Sequence, residues 1–325
     1  MSDERIIVTG GAGFVGSAVV WRLNELGRED ILVVDRMDDT DKWKNLAPLS
    51  FADYIDADDL IDDLGDFKDV ETIFHLGACS STTETDADYM IRNNYQYTKD
   101  LAEFALDNEI RFIYASSAAT YGDGSAGMAD GYDDLSKLRP LNVYGYSKHL
   151  FDRYAARKGM FGRIVGLKYF NVFGPNENHK GDMRSLVNKA FDQISANLKL
   201  HLFKSADPDY EDGEFGRDFV YVKDAVEMTL HFLENVECGL FNVGSGRMHT
   251  WNSLADAIFK ALDLPRNVEF IDMPEHLRDR YQYHTQADLT RIRETGYTAE
   301  ISSLDDAVAD YVQNYLVPGK HLGDE

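Results

Sequence analysis

A short apolar run, Ile6–Thr9, leads directly into Gly10-Gly11-Ala12-Gly13-Phe14-Val15-Gly16 and then into a helix-like stretch. No other feature constrains the fold as tightly. A glycine turn between a strand and a helix lets the backbone approach a pyrophosphate at the helix N-terminus. The spacing is GxxGxxG. Glycines also serve plain turns, so the strand before and the helix after are what turn this loop into an expected dinucleotide site.

The first half of the chain repeats that strand-then-helix rhythm. Ile6–Thr9, Ile31–Asp35, Tyr54–Ile55, Thr72–Leu76, Phe112–Ser116 and Ile164–Tyr169 read as strands, with helices expected over Gly13–Leu26, Asp86–Asp107 and Tyr144–Arg157. Such alternation implies right-handed crossovers and an α/β, Rossmann-type doubly wound parallel sheet. After Gly174-Pro175 the rhythm loosens into a helix near Ser185–Ala196 and an acidic loop, Ala206–Gly216. Phe219–Val222, Asp224–Glu234 and Leu240–Val243 read as a return to the main domain, and Trp251–Leu262, Val268–Ile271 and Leu304–Tyr315 as a smaller α+β lobe. The expected division is 1–173 plus 216–244 for the nucleotide-binding domain and 174–215 plus 245–325 for a substrate-binding lobe. A ligand then belongs in the crevice at the carboxyl ends of the strands.

Charge and composition narrow the function. With 33 basic against 57 acidic residues the formal charge is −24, a field that repels nucleic acid and anionic membranes and leaves an anionic substrate dependent on a local cluster of cations. Two cysteines, Cys79 and Cys238, make no disulfide framework, and no CxxC or HExxH spacing suggests a metal site. The first residues show no signal-peptide pattern and no apolar run is long enough for a bilayer, so a cytoplasmic location is expected.

Three further features carry chemistry. Asp35 ends the second strand, where an acidic side chain accepts from an adenosine ribose hydroxyl. Arg36 and Lys42 follow it and suit a 2′-phosphate, which favours NADP and leaves NAD as the alternative; both also read as solvated surface groups. Asn142-Val143-Tyr144-Gly145-Tyr146-Ser147-Lys148 places a phenol and an ammonium four residues apart on one helix face. A free tyrosine titrates near pH ~10, and the Lys148 charge is expected to favour the phenolate. Ser117, after the Phe112–Ser116 strand, is placed to bridge Tyr144 and a substrate oxygen, although alone it reads as a cap or turn residue.

With these motifs goes a near end-to-end resemblance to the extended short-chain dehydrogenase/reductases, and within them to the ADP-heptose 6-epimerases. It rests on Gly77-Ala78-Cys79-Ser80-Ser81-Thr82-Thr83-Glu84, Asn93-Asn94-Tyr95-Gln96-Tyr97, Ala115-Ser116-Ser117-Ala118-Ala119-Thr120-Tyr121-Gly122 and the Tyr144 segment. Tyr169-Phe170-Asn171-Val172-Phe173-Gly174-Pro175, His179-Lys180-Gly181, Arg217-Asp218-Phe219-Val220-Tyr221-Val222 and Thr285-Gln286-Ala287-Asp288-Leu289-Thr290 complete it.

The resemblance implies that bound NADP takes hydride from C6 of an ADP-heptose and returns it to the other face, for lipopolysaccharide heptose supply. Tyr144 and Lys180 would alternate as acid and base, Lys148 would hold the nicotinamide ribose, and Ser117 would polarise the reacting oxygen. Because the cofactor ends as it began, it should stay bound without an external reductant. By the same resemblance Gly10, Gly13, Phe14, Val15, Gly16, Asp35, Arg36, Lys42, Leu76, Gly77, Ala78, Cys79, Ser80, Asn93, Lys148, Val172 and Lys180 bind cofactor. The substrate falls to Asn171, Asp182, Lys189, Phe203, Lys204, Ser205, Ala206, Arg217 and Tyr281. The family forms homo-oligomers, reported as pentamers.

Departures from the pattern are Ala57, where some members carry a cofactor-contacting lysine, and the long acidic stretch Ala206–Gly216. The alternatives are another nucleotide-sugar epimerase, of the UDP-hexose 4-epimerase type, or a non-catalytic NAD(P)-binding scaffold. The Tyr/Lys pair argues against the scaffold, and Ala118-Ala119, where dehydratases carry an Asp-Glu pair, argues against that branch.

Overall fold

The computed structural model describes residues 5–275 and 282–325. β1 (Ile6–Thr9), α1 (Phe14–Glu25), β2 (Ile31–Asp35), β3 (Asp53–Asp56), α2 (Ala57–Asp62) and β4 (Thr72–His75) open the chain. After β4 come α3 (Ala87–Met90), a π-type turn over Ile91–Gln96, α4 (Tyr97–Asp107), β5 (Arg111–Ser117), α5 (Val143–Arg157) and β6 (Ile164–Tyr169). With β10 (Gly239–Val243) the strands form a seven-stranded sheet in the order β10-β6-β5-β4-β1-β2-β3, and every pairing in it is parallel. This is the expected doubly wound α/β sheet. Its order reverses between β1 and β4, so a crevice opens beyond their carboxyl ends.

Helices on both faces explain the near-continuous apolar strands. Ile6 and Val8 point into the core layer that includes Val19, Val20 and Val226, whereas Ile7 joins the opposite layer with Leu101, Ala102 and Phe151. Side-chain direction alternates along a strand, so one short run feeds both cores.

The helix expected over Asp86–Asp107 is interrupted by the π-type turn. That turn carries Asn94, whose side chain accepts from Cys79 N at 2.9 Å and donates to Cys79 O at 2.9 Å, clamping the loop after β4.

Past β6 the structure departs further from expectation. β7 (Asn171–Phe173), α6 (Leu186–Asn197), β8 (Leu200–Phe203), β9 (Gly216–Tyr221) and α7 (Val222–Glu234) precede β10, and β11 (Met248–Thr250), α8 (Trp251–Ala261) and β12 (Val268–Ile271) follow it. The strand anticipated at Phe219–Val222 does not rejoin the main sheet. It is β9, in the middle of a separate three-stranded sheet, parallel to β7 and antiparallel to β11. Only α7, packed on α1, and β10 return to the main layer. β8 pairs with β12 across 68 residues, as Leu200 does with Val268. The helix expected over Leu304–Tyr315 is α-helical over Leu304–Tyr311 and continues as a π-type turn to Leu316.

Candidate active site

A cavity of about 840 Å³ lies beyond the carboxyl ends of β1 and β4 and runs from the glycine loop to β8 and α8. Its first part is built from backbone. Gly10, at φ 68°, abuts Gly77, and a Cβ on Gly10 would fall 2.6 Å from the Gly77 backbone. At Gly16 a Cβ would stand 2.0 Å from the Gly10 carbonyl oxygen, so only glycine lets α1 pack this close to the turn. The N-cap of α1 is Gly13, with no side-chain cap and no acidic residue in the first turn. Its free N–H groups face the cavity edge and suit a diphosphate. The residues present therefore fit a dinucleotide.

Asp35 closes this end. Its Oδ2 accepts from Ala12 N at 2.9 Å, and its Oδ1 accepts from Arg36 N at 2.8 Å and Lys42 Nζ at 2.9 Å. Lys42 lines the cavity beside it. Arg36 does not: its guanidinium pairs with Asp58 at 2.5 Å and donates to Asn93 Oδ1 at 2.7 Å. The two cations expected to flank a 2′-phosphate thus differ. Lys42 is in place, and Arg36 is drawn outward by a carboxylate that lies 22 residues along the chain.

Tyr144 and Lys148 sit in the first turns of α5, capped by Asn142, whose side chain accepts from Gly145 N at 2.8 Å. Ser117, at the end of β5, lies beside the Tyr144 hydroxyl, and its own Oγ accepts from Ala119 N at 3.1 Å. One electrostatic expectation is corrected. Burial pushes the Tyr144 phenol up from 10, with Ser117 opposing, and Lys148 does not bring it down. The reason is geometric: Lys148 Nζ donates to the Ala115 carbonyl at 2.8 Å, and its own desolvation lowers it to about 8.

Lys180 arrives from the turn Asn178–Met183, after β7. Its Nζ lies 5.2 Å from the centroid of Phe14, a cation–π contact that sets it over the start of α1. Burial lowers its pKa while buried Glu177 opposes the shift. The neighbouring His179 also lines the cavity; Asn45 Nδ2 lies 3.2 Å from its Nδ1, and burial holds the imidazole at about 4, hence neutral. Gly181, at φ 55°, lets the chain turn immediately after Lys180.

Of the remaining expected cofactor residues, Val15, Leu76, Ala78, Ser80 and Val172 line the cavity with Gly10, Gly13, Phe14, Gly16 and Gly77. Cys79 and Asn93 do not. Cys79 is held through its backbone by Asn94, and Asn93 is engaged by Arg36.

The substrate assignments divide similarly. Asn171, Lys189 and Phe203 line the cavity. Lys204 turns away to Asp272 at 3.0 Å, and Asp182 is exposed, with its carbonyl taking Lys189 Nζ at 3.2 Å. Ser205 and Ala206 belong to the acidic loop, which is fastened by Ser205 N to Asp212 Oδ1 at 2.8 Å and by stacking of Tyr210 on Tyr283 at 5.2 Å. Arg217 is buried behind the wall, 6.0 Å from the ring of Trp251, which does line the cavity. Tyr281 lies outside the described residues. Residues not anticipated include His179, Arg184, Gln193, His201, Phe219 and Trp251. His179 stood in the His179-Lys180-Gly181 motif and Phe219 in the expected strand; Arg184, Gln193, His201 and Trp251 gave no local signal.

Comparison with known proteins gives the family. Residues 6–244 match the NAD dependent epimerase/dehydratase family. The chain is 50% identical over 314 residues to an ADP-L-glycero-D-manno-heptose-6-epimerase of Nitratidesulfovibrio vulgaris, spanning 95% of this chain and 97% of the relative. It is 48% identical to that of Fusobacterium nucleatum, spanning 96% and 98%. The crystal structure of the Helicobacter pylori ADP-L-glycero-D-manno-heptose-6-epimerase superposes with a TM-score of 0.80 at 28% identity, covering 96% of each chain. The chain therefore belongs to the NAD dependent epimerase/dehydratase family and, within it, to the ADP-L-glycero-D-manno-heptose-6-epimerases.

Proposed function

We propose that the chain inverts C6 of ADP-D-glycero-β-D-manno-heptose to give the L-glycero epimer, using a bound nicotinamide dinucleotide. When bound, that cofactor supplies a reversible hydride acceptor at the sugar carbon. The protein's part is proton traffic and placement. Inverting a carbon through a ketone needs proton transfer to and from the oxygen in both orientations of the sugar, so one acid/base group is not enough. Tyr144, with Ser117 donating to its oxygen, serves one orientation and Lys180 the other. Lys148 fixes the ribose next to Tyr144. The observation that carries this reading is that a phenol from α5 and an amine from the turn after β7 line a single cavity with the glycine loop.

Burial of both groups supports the assignment. A half-buried lysine lowered by desolvation can give up and regain a proton, whereas a solvated one stays charged. On the substrate side, Lys189 and Arg184 at the cavity supply cations for the diphosphate in an otherwise acidic protein. We assign NADP over NAD on Lys42, with Arg36 a second contact once released from Asp58. The division into 1–173 plus 216–244 and 174–215 plus 245–325 belongs to the same proposal, as do a homo-oligomer and a cytoplasmic location. No helix among the described residues is long and apolar enough to cross a membrane.

Parallel incubation with ADP-D-glycero-β-D-manno-heptose and UDP-glucose, followed by NMR at C6 and C4, tests the function. The heptose should change configuration and the glucose should not. Conversion of UDP-glucose alone would favour the 4-epimerase alternative.

A further inference from the structure

The face of α5 that carries Tyr144 and Lys148 continues to a third ionisable group. Asp152 follows Lys148 by four residues, so the three side chains form one stripe. Asp152 is fully buried. Its Oδ1 accepts from the Tyr114 hydroxyl at 2.8 Å, and its Oδ2 accepts from the Ser116 hydroxyl at 2.8 Å and from Lys168 Nζ at 3.1 Å. Tyr114 and Ser116 flank Ala115 on β5, whose carbonyl takes the Lys148 ammonium. Lys168, on β6 in register with Ser116, is also fully buried and sits 4.6 Å above the Tyr121 ring.

We propose that Asp152 is a positioning residue for the reaction: clamped to β5 and β6, it fixes the Tyr144–Lys148 face of α5 against the sheet and supplies the counter-charge that keeps Lys148 cationic. The charge count gives the reason. One carboxylate, Asp152, is shared by two buried ammonium groups, Lys168 in direct contact and Lys148 one helical turn away; without it, both would sit in a desolvated space with no carboxylate on this face of α5.

Other groups facing Lys148 do not do this. His75 approaches from β4, buried between the hydroxyls of Thr9 and Thr98 and held neutral by burial, with Lys148 adding to that effect. Tyr144 and Tyr114 are phenols raised by burial. Cys79 lies on the loop after β4, near Tyr144. His149, next on α5, is held at about 4 by burial. Asp152 is the group that opposes desolvation at Lys148.

The inference rests on the reading of Tyr144 as an acid/base group with Lys148 fixing the ribose beside it, and Lys148→Met tests that separately. A near-normal epimerisation rate in Lys148→Met would remove the reading whatever Asp152 does. Given a large loss there, the alkaline limb of the holoenzyme's pH–rate profile for ADP-heptose epimerisation is the readout. Asp152→Asn should move that limb to lower pH, because the carboxylate is the charge that opposes desolvation at Lys148. Lys168→Met, which leaves Asp152 unshared, should move it up. Tyr114→Phe removes a bond to Asp152 without changing any charge, so it should lower Tm and leave the limb in place. Should Asp152→Asn not fold, Lys168→Met decides alone. A limb unmoved in either charge variant, or moved equally by Tyr114→Phe, would overturn the proposal.

Discussion

Replacing Gly16 by alanine tests the packing on which the nucleotide cradle depends. The new methyl carbon would stand 2.0 Å from the Gly10 carbonyl oxygen, 2.6 Å from its carbon and 2.9 Å from Gly11 Cα. Ordinary carbon contacts lie at ~3.5–4.0 Å, so α1 and the loop must separate by more than ~1 Å. All three obstacles are backbone, and no side chain can rotate away. Separation strains the Gly13 N to Gly10 O bond of 2.9 Å and the Ala12 N to Asp35 bond of 2.9 Å. Overpacking costs about 1–3 kcal/mol, and a backbone clash belongs near the top of that range. At ~2 °C per kcal/mol for a chain of this size, Tm should fall by ~6 °C. A 1.4 kcal/mol weakening of the pyrophosphate contact is about tenfold in affinity, so the purified variant should carry little cofactor. The assay is thermal unfolding together with cofactor content per chain. Gly65→Ala is the control, because its Cβ meets nothing within 4 Å and should change stability by less than ~0.5 kcal/mol. A Gly16→Ala protein with full cofactor and an unchanged Tm would refute the reasoning.

Tyr144→Phe and Lys180→Ala should each lower epimerisation by at least ~100-fold, the lower end for a lost acid/base group, while circular dichroism and cofactor content stay normal; an active variant of either would return that residue to structure. Denaturing the freshly purified protein should release NADP in near-stoichiometric amount, and release of NAD alone would remove the role given to Lys42 and Arg36. His149 sets a pH dependence. Its imidazole, 3% exposed, is held at about 4, whereas the unfolded chain protonates it near 6.5. Below pH 6.5 the unfolded state therefore binds the extra proton, and stability falls as pH drops toward 4. Between pH 7 and 5 this amounts to about 2 kcal/mol, measurable by urea unfolding as a loss that His149→Leu should not share.

How far the sequence reached follows from what each signal encodes. Ile6–Thr9, Ile31–Asp35 and Ile164–Tyr169 were legible to the residue because strands buried on both faces are continuous apolar runs. Asn171–Phe173 and Met248–Thr250 are three residues long, too short to show a period, and became strands only by pairing with β9. The apolar run at Phe219 announced a strand but not its sheet, because pairing partners are not written in local pattern. The Tyr144–Ser117 contact was recoverable, since both residues sit at element ends that face the crevice. Lys148, adjacent to Tyr144 along the helix, suggested a lowered phenol; burial outweighs that proximity, and burial is a property of the assembled core. Arg36 and Lys204 failed as cavity residues for a shared reason: in a chain this acidic, an exposed cation finds a nearer carboxylate, here Asp58 and Asp272.

A structure of the Lys148→Met or Tyr144→Phe protein with nicotinamide dinucleotide and ADP-heptose bound tests the central claim most directly. C6 of the sugar should lie between residue 144 and the ammonium of Lys180, both within about 3–4 Å of positions its oxygen can occupy. Lys180 directed into bulk water, remote from the sugar and the nicotinamide ring in that closed complex, would contradict it.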